Sequence, residues 1–173
     1  MLGVYDNFPE LYHCVAEYSH STQPKRLQRA IIEAAHGINR NGEGPSLPEF
    51  KEHGITVIVD LGVADGVTFT YVDSEVFNEC LEAIEKKAFE TLDFICIVRY
   101  YNVRSGRRRP LKFDYHMVRF TFRDKAMGII VYHERGVRHL AIMSLVDFLI
   151  QKINGALSSM GAKPLVENYI RTL

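Results

Sequence analysis

The sequence predicts an α+β domain built on a mostly antiparallel five-stranded sheet, with an N-terminal helical pair and a short C-terminal helix. Three observations support this prediction. Runs rich in β-branched and aromatic residues recur between residues 55 and 133. Segments before and after these runs carry apolar residues at helical spacing. Short turn signals separate successive strands, as antiparallel hairpins require.

Two helices are predicted within residues 1–38, which form the N-terminal helical pair. Asn7 and Pro9 favour the start of the first helix. Its apolar residues at helical spacing are Leu11, Cys14, Val15 and Tyr18. Thr22 and Pro24 favour the start of the second helix. Its apolar stripe consists of Leu27, Ala30, Ile31, Ala34 and Ile38.

A linker and a β-hairpin follow the helical pair. Residues 39–54 are predicted as a linker without helix or strand, because glycine and proline interrupt regular elements. The interrupting residues are Gly42, Gly44, Pro45, Pro48 and Gly54. Residues 55–61 and 67–72 are rich in β-branched residues and predict two hairpin strands. Asp73 and Ser74 then favour the start of a helix.

The remaining elements complete the sheet and add a second long helix. They are predicted strands at 92–103, 111–122 and 129–133, a loop at 104–110, and a short helix at 165–170. A long helix is predicted over 138–154, and Gly155 ends it. This helix has hardly any polar face, so we expect it to be buried between layers or in the interface of a homo-oligomer.

The chain divides into four predicted segments. These are the helical pair at 1–38, the linker at 39–54, an α+β core domain at 55–154, and a C-terminal tail with a short helix at 155–173. The ββαβββα order of the core resembles the profilin-like group, which includes roadblock and longin domains. The resemblance implies a homodimeric protein-interaction scaffold as an alternative function. The αβββα order of residues 74–154 also resembles a double-stranded RNA-binding domain.

Charge is unevenly distributed, although the formal net charge of the 173 residues is zero. Residues 1–90 carry 7 Lys and Arg against 15 Asp and Glu, a net charge of −8. Residues 91–141 carry 11 against 4, a net charge of +7. Such an asymmetry indicates two faces of opposite potential and therefore a charged partner. The alternative is that the two halves neutralise each other in the fold.

A basic hairpin carries the leading functional hypothesis. Guanidinium groups bind phosphate oxygens in pairs, and aromatic faces stack on unpaired bases. Aromatic residues interleave with the cations at Tyr100, Tyr101, Phe113 and Tyr115. We therefore predict a non-catalytic module whose partner is nucleic acid, with RNA favoured, or an acidic protein surface. The predicted contact residues are Arg99, Arg104, Arg107, Arg108, Arg109, Lys112, Arg119 and Arg123.

The segment from Asp60 to Gly62 supports an alternative, enzymatic hypothesis. Its Asp-Leu-Gly sequence resembles the opening strand of sugar-kinase and actin-type ATPases and of ribonuclease-H-like nucleases. This resemblance implies a metal-dependent phosphodiester enzyme centred on Asp60, with further carboxylates completing a two-metal site. The available carboxylates are Asp65, Asp73 and Asp93.

Four residues in the second half of the core are candidates for metal or acid–base chemistry: His116, His133, Glu134 and His139. Their spacing matches no established metal motif. The sequence therefore predicts no catalytic residue, metal or cofactor.

Cysteine usage and hydropathy favour a cytoplasmic protein. Cys14, Cys80 and Cys96 lie among apolar residues at spacings that match no zinc or redox pattern, so we expect buried thiols in a reducing compartment. No window approaches 18 uninterrupted apolar residues, so no membrane-spanning helix is predicted. The first residues have neither a basic start nor an apolar run, and do not predict a secretory signal.

Overall fold

The computed structural model of the chain describes residues 1–104 and 106–173, without the side chain of Arg104. Within these residues it contains seven strands and four helices. In chain order they are β1 (Cys14–Ser19), α1 (Pro24–Asn41), α2 (Pro48–Glu52), β2 (Ile55–Asp65), β3 (Thr68–Tyr71), α3 (Ser74–Lys86), β4 (Thr91–Arg104), β5 (Arg107–Arg123), β6 (Ala126–Gly136), α4 (Ile142–Ser159) and β7 (Val166–Thr172). The protein is therefore α+β.

The strands of the described residues form one curled sheet in the order β3-β2-β4-β5-β6-β1-β7, and each neighbouring pair is antiparallel. The prediction of a five-stranded sheet with an N-terminal helical pair is therefore wrong. The two additional strands come from segments that were predicted to be helical. We call the face of the sheet that packs on α1 and α4 the inner face. Residues that meet there include Ile31, Ile38, Leu61, Phe94, Val118 and Leu149.

The first predicted helix is replaced by β1. Cys14, Ala16 and Tyr18 are buried on the inner face, while Leu11 is exposed. Apolar residues at positions 14 and 18 satisfy both a helical period and the two-residue period of a strand. Pairing with β6 on one side and β7 on the other decides in favour of the strand. Both partners lie far away in sequence, so local spacing could not reveal them.

The predicted short C-terminal helix is also wrong, because these residues form β7. This edge strand pairs with β1, with Ile170 opposite Ala16. Leu165 precedes the strand, and its backbone N–H donates to the Asn154 side chain over 2.9 Å. The tail is thereby turned back from α4 toward the sheet.

The second predicted helix is present as α1. Its predicted apolar stripe is buried, and it packs against α3 and α4. Asn39 joins this helix to the sheet: its side chain accepts from the Leu61 backbone N–H and donates to the carbonyl oxygens of Leu61 and Val72. A buried amide whose polar atoms are all paired fixes the position of the helix along β2.

The prediction of a linker without helix at 39–54 is wrong, and the predicted bounds of the long helix at 138–154 also differ from those observed. Helix α2 lies inside the predicted linker. Pro48 occupies its first turn, where a backbone N–H has no partner within the helix, so the missing N–H costs nothing. Phe50 is buried and holds the helix against the core. Helix α4 begins at Ile142 instead of residue 138, since Arg138 has a φ of +56°, which is incompatible with a helix. It also continues past Gly155, because a single glycine costs a helix only about 1 kcal/mol.

The apolar residues of α4 are covered within one chain. They pack mainly against α1 and the inner face of the sheet, and the buried set is Leu145, Val146, Phe148, Leu149, Ile150, Ile153 and Leu157. Asp147 and Gln151 are exposed on the opposite side of α4, so the helix has a polar face, contrary to the sequence prediction. A homo-oligomer formed through residues 138–154 stays a prediction. None of the described helices combines the length and the apolar character needed to cross a bilayer.

Candidate nucleic-acid interface

The segment predicted as a loop at 104–110 is mostly strand. Arg104 pairs with Arg107, and the ladder continues through Asn102 and Arg109 toward the centre of the sheet. Gly106 has a φ of +71°, a conformation that glycine adopts at little cost. The prediction of a loop is wrong because arginine-rich segments have no strong preference against strands when a partner strand is present.

This hairpin extends beyond its neighbours in the sheet. Strand β6 pairs with β5 from Asp114 onward, and β2 pairs with β4 as far as Asn102. On the β6 side, residues 107–113 therefore have no partner strand within the described part of the chain. We call residues 101–104 and 107–113 the basic hairpin. Its β5 side chains are all exposed, and its backbone forms an open strand edge.

Four cations of the basic hairpin are accessible to a partner: Arg107, Arg108, Arg109 and Lys112. Among the described residues, none of these four forms an ion pair or a side-chain hydrogen bond. Since the acidic first half of the chain does not neutralise them, they form a local positive surface on a protein whose formal net charge is zero. The predicted residue Arg104 has a side chain outside the described residues, as does Ser105.

The pleat of the hairpin divides its guanidinium groups between two faces. Arg108 lies opposite Val103, and Arg109 lies opposite Asn102. Successive residues of a strand point to opposite faces, so Arg108 is on the outer face and Arg109 on the inner face. Arg107, Arg108 and Arg109 are adjacent in sequence, but the pleat places the guanidinium groups of consecutive arginines on opposite faces.

Arg99 lies at the base of the hairpin on the outer face. Its Nε is 2.8 Å from Oδ2 of Asp60, and both side chains are partly exposed. An exposed ion pair of this kind contributes at most about 1 kcal/mol and exchanges readily with other partners. Arg99 can therefore also meet an anion at the hairpin base.

Arg119 and Arg123 lie away from the basic hairpin. At about 3.3 Å per residue, they are roughly 40 Å and 50 Å along β5 from Arg107. The Arg119 guanidinium forms two hydrogen bonds of 2.7 Å with the buried Asp93 carboxylate, and it stacks over the ring of Phe8 at 4.3 Å. The structure therefore does not bring these two predicted residues to the hairpin, and Arg119 has a structural partner.

We expect the substitution Arg119→Met to lower the free energy of unfolding by about 2 kcal/mol, because it leaves the buried Asp93 carboxylate without its cation. The Arg119 side chain is 25% exposed, which keeps the loss below that of a fully buried pair. Urea unfolding followed by circular dichroism measures it. Arg123→Met, at an exposed position of the same strand, is the control and should change stability by less than about 0.5 kcal/mol. Equal stability of the two variants would contradict the structural role of Arg119.

A buried polar network centred on Asp114 anchors the base of the hairpin. The Asp114 carboxylate accepts hydrogen bonds from the Tyr100 hydroxyl at 2.5 Å and from the Arg138 backbone N–H at 2.7 Å, and its Oδ1 is 2.9 Å from His133 Nε2. The Tyr100 hydroxyl in turn accepts from the Leu140 N–H at 2.7 Å. These contacts join β4, β5 and β6 to the segment before α4, at the position where the pairing of β5 with β6 begins.

The network shifts the pKa of its members. Burial raises the pKa of Asp114, but the hydrogen bonds from Tyr100, Arg138 and His133 outweigh it, so the pKa lies below its ordinary value. Burial and the hydrogen bond to Asp114 raise the pKa of Tyr100. Tyr100 therefore stays a neutral donor and Asp114 a charged acceptor at neutral pH.

Gly136 is required at this anchor. Its φ is +120°, and a Cβ at this position would meet the Asp114 carboxylate and the Phe113 carbonyl. A side chain at residue 136 would therefore displace the acceptor on which the network depends.

The histidines predicted as a chemical site are only partly brought together. His116 pairs with His133 across β5 and β6, with ring centroids 5.0 Å apart, while His139 packs on the ring of Tyr100 instead. His13 joins the pair, since its Nδ1 accepts from the His133 backbone N–H. Within the described residues, no three His, Cys, Asp or Glu side chains are arranged to hold a metal ion.

His116 is fully buried, and neither ring nitrogen has a hydrogen-bond partner among the described residues. Burial, followed by the neighbouring His133, lowers its pKa to about 4. His116 is therefore neutral at physiological pH.

The carboxylates of the enzymatic hypothesis have separate partners. Asp60 pairs with Arg99 and Asp93 with Arg119, while Asp73 caps α3 by accepting from the Val76 N–H. The two-metal interpretation therefore has no supporting geometry among the described residues.

The sequence interpretation missed Asp114 as the centre of a network. A signal was present, because Asp114 is the one acidic residue of β5 and lies between the aromatic residues Phe113 and Tyr115. A carboxylate in such a strand needs buried donors, but the sequence does not say which residues supply them.

No family model, no curated protein and no solved structure matches this chain. The position and charge of its own residues are therefore what indicates its function. Among these features, the exposed basic hairpin next to the Asp114 network is the most prominent.

Proposed function

We propose that this protein is a non-catalytic module that binds nucleic acid, RNA in particular, through the basic hairpin. One observation carries the proposal: Arg107, Arg108, Arg109 and Lys112 are exposed on an extended hairpin with no acidic partner among the described residues. Guanidinium groups form paired hydrogen bonds with phosphate oxygens, and neutralised phosphates release counterions. A polyanion is therefore the partner whose chemistry fits this surface.

The anchoring of the hairpin supports the same conclusion. Cations on a flexible loop lose conformational freedom when they bind, whereas strand pairing has already fixed the backbone of Arg108 and Arg109. The Asp114 network holds the base of these strands against the segment that leads into α4. The charges are thus presented on a preorganised support.

Cations and a proline also protect an open strand edge from pairing with other chains. Pro110 and the neighbouring arginines serve this purpose whatever else they bind. The two roles are separable, because loss of edge protection changes the molecular mass in solution, whereas loss of phosphate contacts changes the affinity for nucleic acid.

The test replaces Arg107, Arg108 and Arg109 by alanine together. We expect the affinity for a single-stranded uridine oligonucleotide to fall, and the slope of log affinity against log salt to become shallower by about 2, at about 0.7 for each lost contact. Fluorescence anisotropy at several NaCl concentrations measures both quantities. The free energy of unfolding should change by less than about 0.5 kcal/mol for each exposed position.

A matched variant replaces Lys86, Lys87 and Lys163 by alanine, which removes the same charge from exposed positions elsewhere. It should keep the wild-type slope. An unchanged slope in the arginine variant would overturn the proposal. So would equal binding of polyglutamate and RNA, because the acidic-protein alternative predicts that result. Light scattering measures the molecular mass of the arginine variant and shows whether it self-associates through the open strand edge.

A further inference from the structure

A shallow groove lies on the outer face at the base of the basic hairpin. Its volume is about 330 Å³, and we call it the aromatic groove. The side chains that the groove presents include Arg99, Tyr101, Leu111, Phe113 and Tyr115. The groove therefore combines aromatic rings and cations on one surface.

The strand register explains this combination. Phe113 lies opposite Arg99, and Tyr115 lies opposite Ile97, so these side chains share the outer face. The rings of Phe113 and Tyr115 are 5.0 Å apart. A guanidinium beside two neighbouring rings offers both a phosphate contact and a stacking surface.

A β-bulge exposes additional apolar surface at the groove. Tyr100 pairs with Lys112 and Tyr101 with Pro110, so Leu111 is the extra residue. Bulges commonly redirect side chains next to binding sites. Leu111 is 48% exposed and Phe113 is 47% exposed, although both are large apolar residues on an ordered strand. An apolar surface of this kind, with Arg99 and Arg108 on the same face, indicates an occupant that is both flat and negatively charged.

We propose that the aromatic groove selects single-stranded nucleic acid by stacking an unpaired base on Phe113. This inference rests on the proposed function and specifies its substrate. The phosphate groups on either side of the stacked base meet Arg108 toward the hairpin end and Arg99 toward the sheet. A duplex offers no free base face to Phe113, so it gains the charge contacts without the stacking contact.

A tryptophan at position 113 makes the stacking contact visible. The chain contains no tryptophan, so Phe113→Trp introduces a single indole fluorophore. We expect a single-stranded uridine oligonucleotide to quench its fluorescence in the same concentration range that produces binding by anisotropy. The control is Tyr169→Trp, on the edge strand β7, where a 39%-exposed ring lies outside the groove. Its fluorescence should not respond.

The second variant removes the ring. Phe113→Ala should weaken single-strand binding by about 10-fold and leave the salt slope unchanged, because no phosphate contact is lost. Phe113→Tyr should restore binding, and Tyr169→Ala should have no effect. Duplex RNA should bind wild type and Phe113→Ala equally, since it does not use the ring.

The outcomes separate this inference from the function on which it rests. If wild type binds RNA, the triple arginine variant does not, and Phe113→Ala is unaffected, the groove inference is wrong while the basic hairpin remains the binding site. Preference for duplex over single strands would also overturn the groove inference. If wild type binds neither RNA at low salt, the proposed function fails and the inference fails with it.

Discussion

Replacing Asp114 by alanine should lower the free energy of unfolding by about 3–5 kcal/mol. The carboxylate is fully buried and is bonded to three groups, on β4, on β6 and in the segment before α4. Its removal leaves the Tyr100 hydroxyl and the Arg138 N–H without their acceptor. Each buried donor without an acceptor costs about 1–3 kcal/mol. The two donors together therefore remove a large part of the free energy of unfolding of an ordinary domain, which is about 5–15 kcal/mol.

Two further variants make this prediction specific. Tyr100→Phe keeps the ring and removes the hydroxyl, so it should cost about 1–2 kcal/mol, less than Asp114→Ala. Asp147→Ala removes an exposed carboxylate from α4 and should change stability by less than about 0.5 kcal/mol. Urea unfolding followed by circular dichroism gives all three values. A loss below about 1 kcal/mol for Asp114→Ala would show that the network does not anchor the hairpin.

The second large effect is a loss of stability in acid caused by His116. Its pKa is lowered to about 4 in the folded protein, against 6.5 for an ordinary histidine. Between these two values the unfolded chain binds more protons than the folded one, so stability falls as the pH falls from about 6.5 to about 4. The full difference corresponds to about 3 kcal/mol. The neighbouring ionisable groups are His133, Asp114, Arg138 and His13.

The variant His116→Leu tests this assignment, because leucine fills the site without a titrating group. At neutral pH it should retain stability, since it removes two buried nitrogens that have no described partner. Between pH 6.5 and 4 its stability should fall much less than that of wild type. A shallow fall remains because burial also lowers the pKa of His13 and His20. The exposed residue His53 provides the control, and His53→Leu should keep the full wild-type pH dependence.

Strong local patterns predicted the central part of the fold. The apolar stripe of α1 and the β-branched runs of β2 and β4 each fit one secondary structure. Helix α3 was also found, because Asp73 is an effective N-cap before an amphipathic segment. The local sequence is enough to predict these elements, because their apolar residues follow a single period.

The two ends of the chain were not predictable in this way. β1 and β7 are short, and their apolar residues fit more than one period. They become strands because β1 pairs with the free edge of β6, and β7 then pairs with the free edge of β1. A strand defined by partners that are distant in sequence lies beyond the reach of local propensity.

The candidate site was predictable in composition but not in geometry. The count of cations indicated a basic surface near residue 107, whereas the register divided those cations between two faces. The sequence also placed Arg119 in the same group, although its buried partner Asp93 lies on the neighbouring strand. Pairings of this kind depend on sheet register, which no single segment encodes.

The binding of phosphate groups by the basic hairpin is tested most directly by the salt dependence of RNA binding to the wild-type protein. Titration of a single-stranded uridine oligonucleotide across a range of NaCl concentrations should give a linear plot of log affinity against log salt. Arg99 and the four exposed cations of the basic hairpin, at about 0.7 each, predict a slope of about −3.5, and the variant without Arg107, Arg108 and Arg109 should retain about −1.4. Absence of binding at low salt, or the same slope in both proteins, would contradict the account.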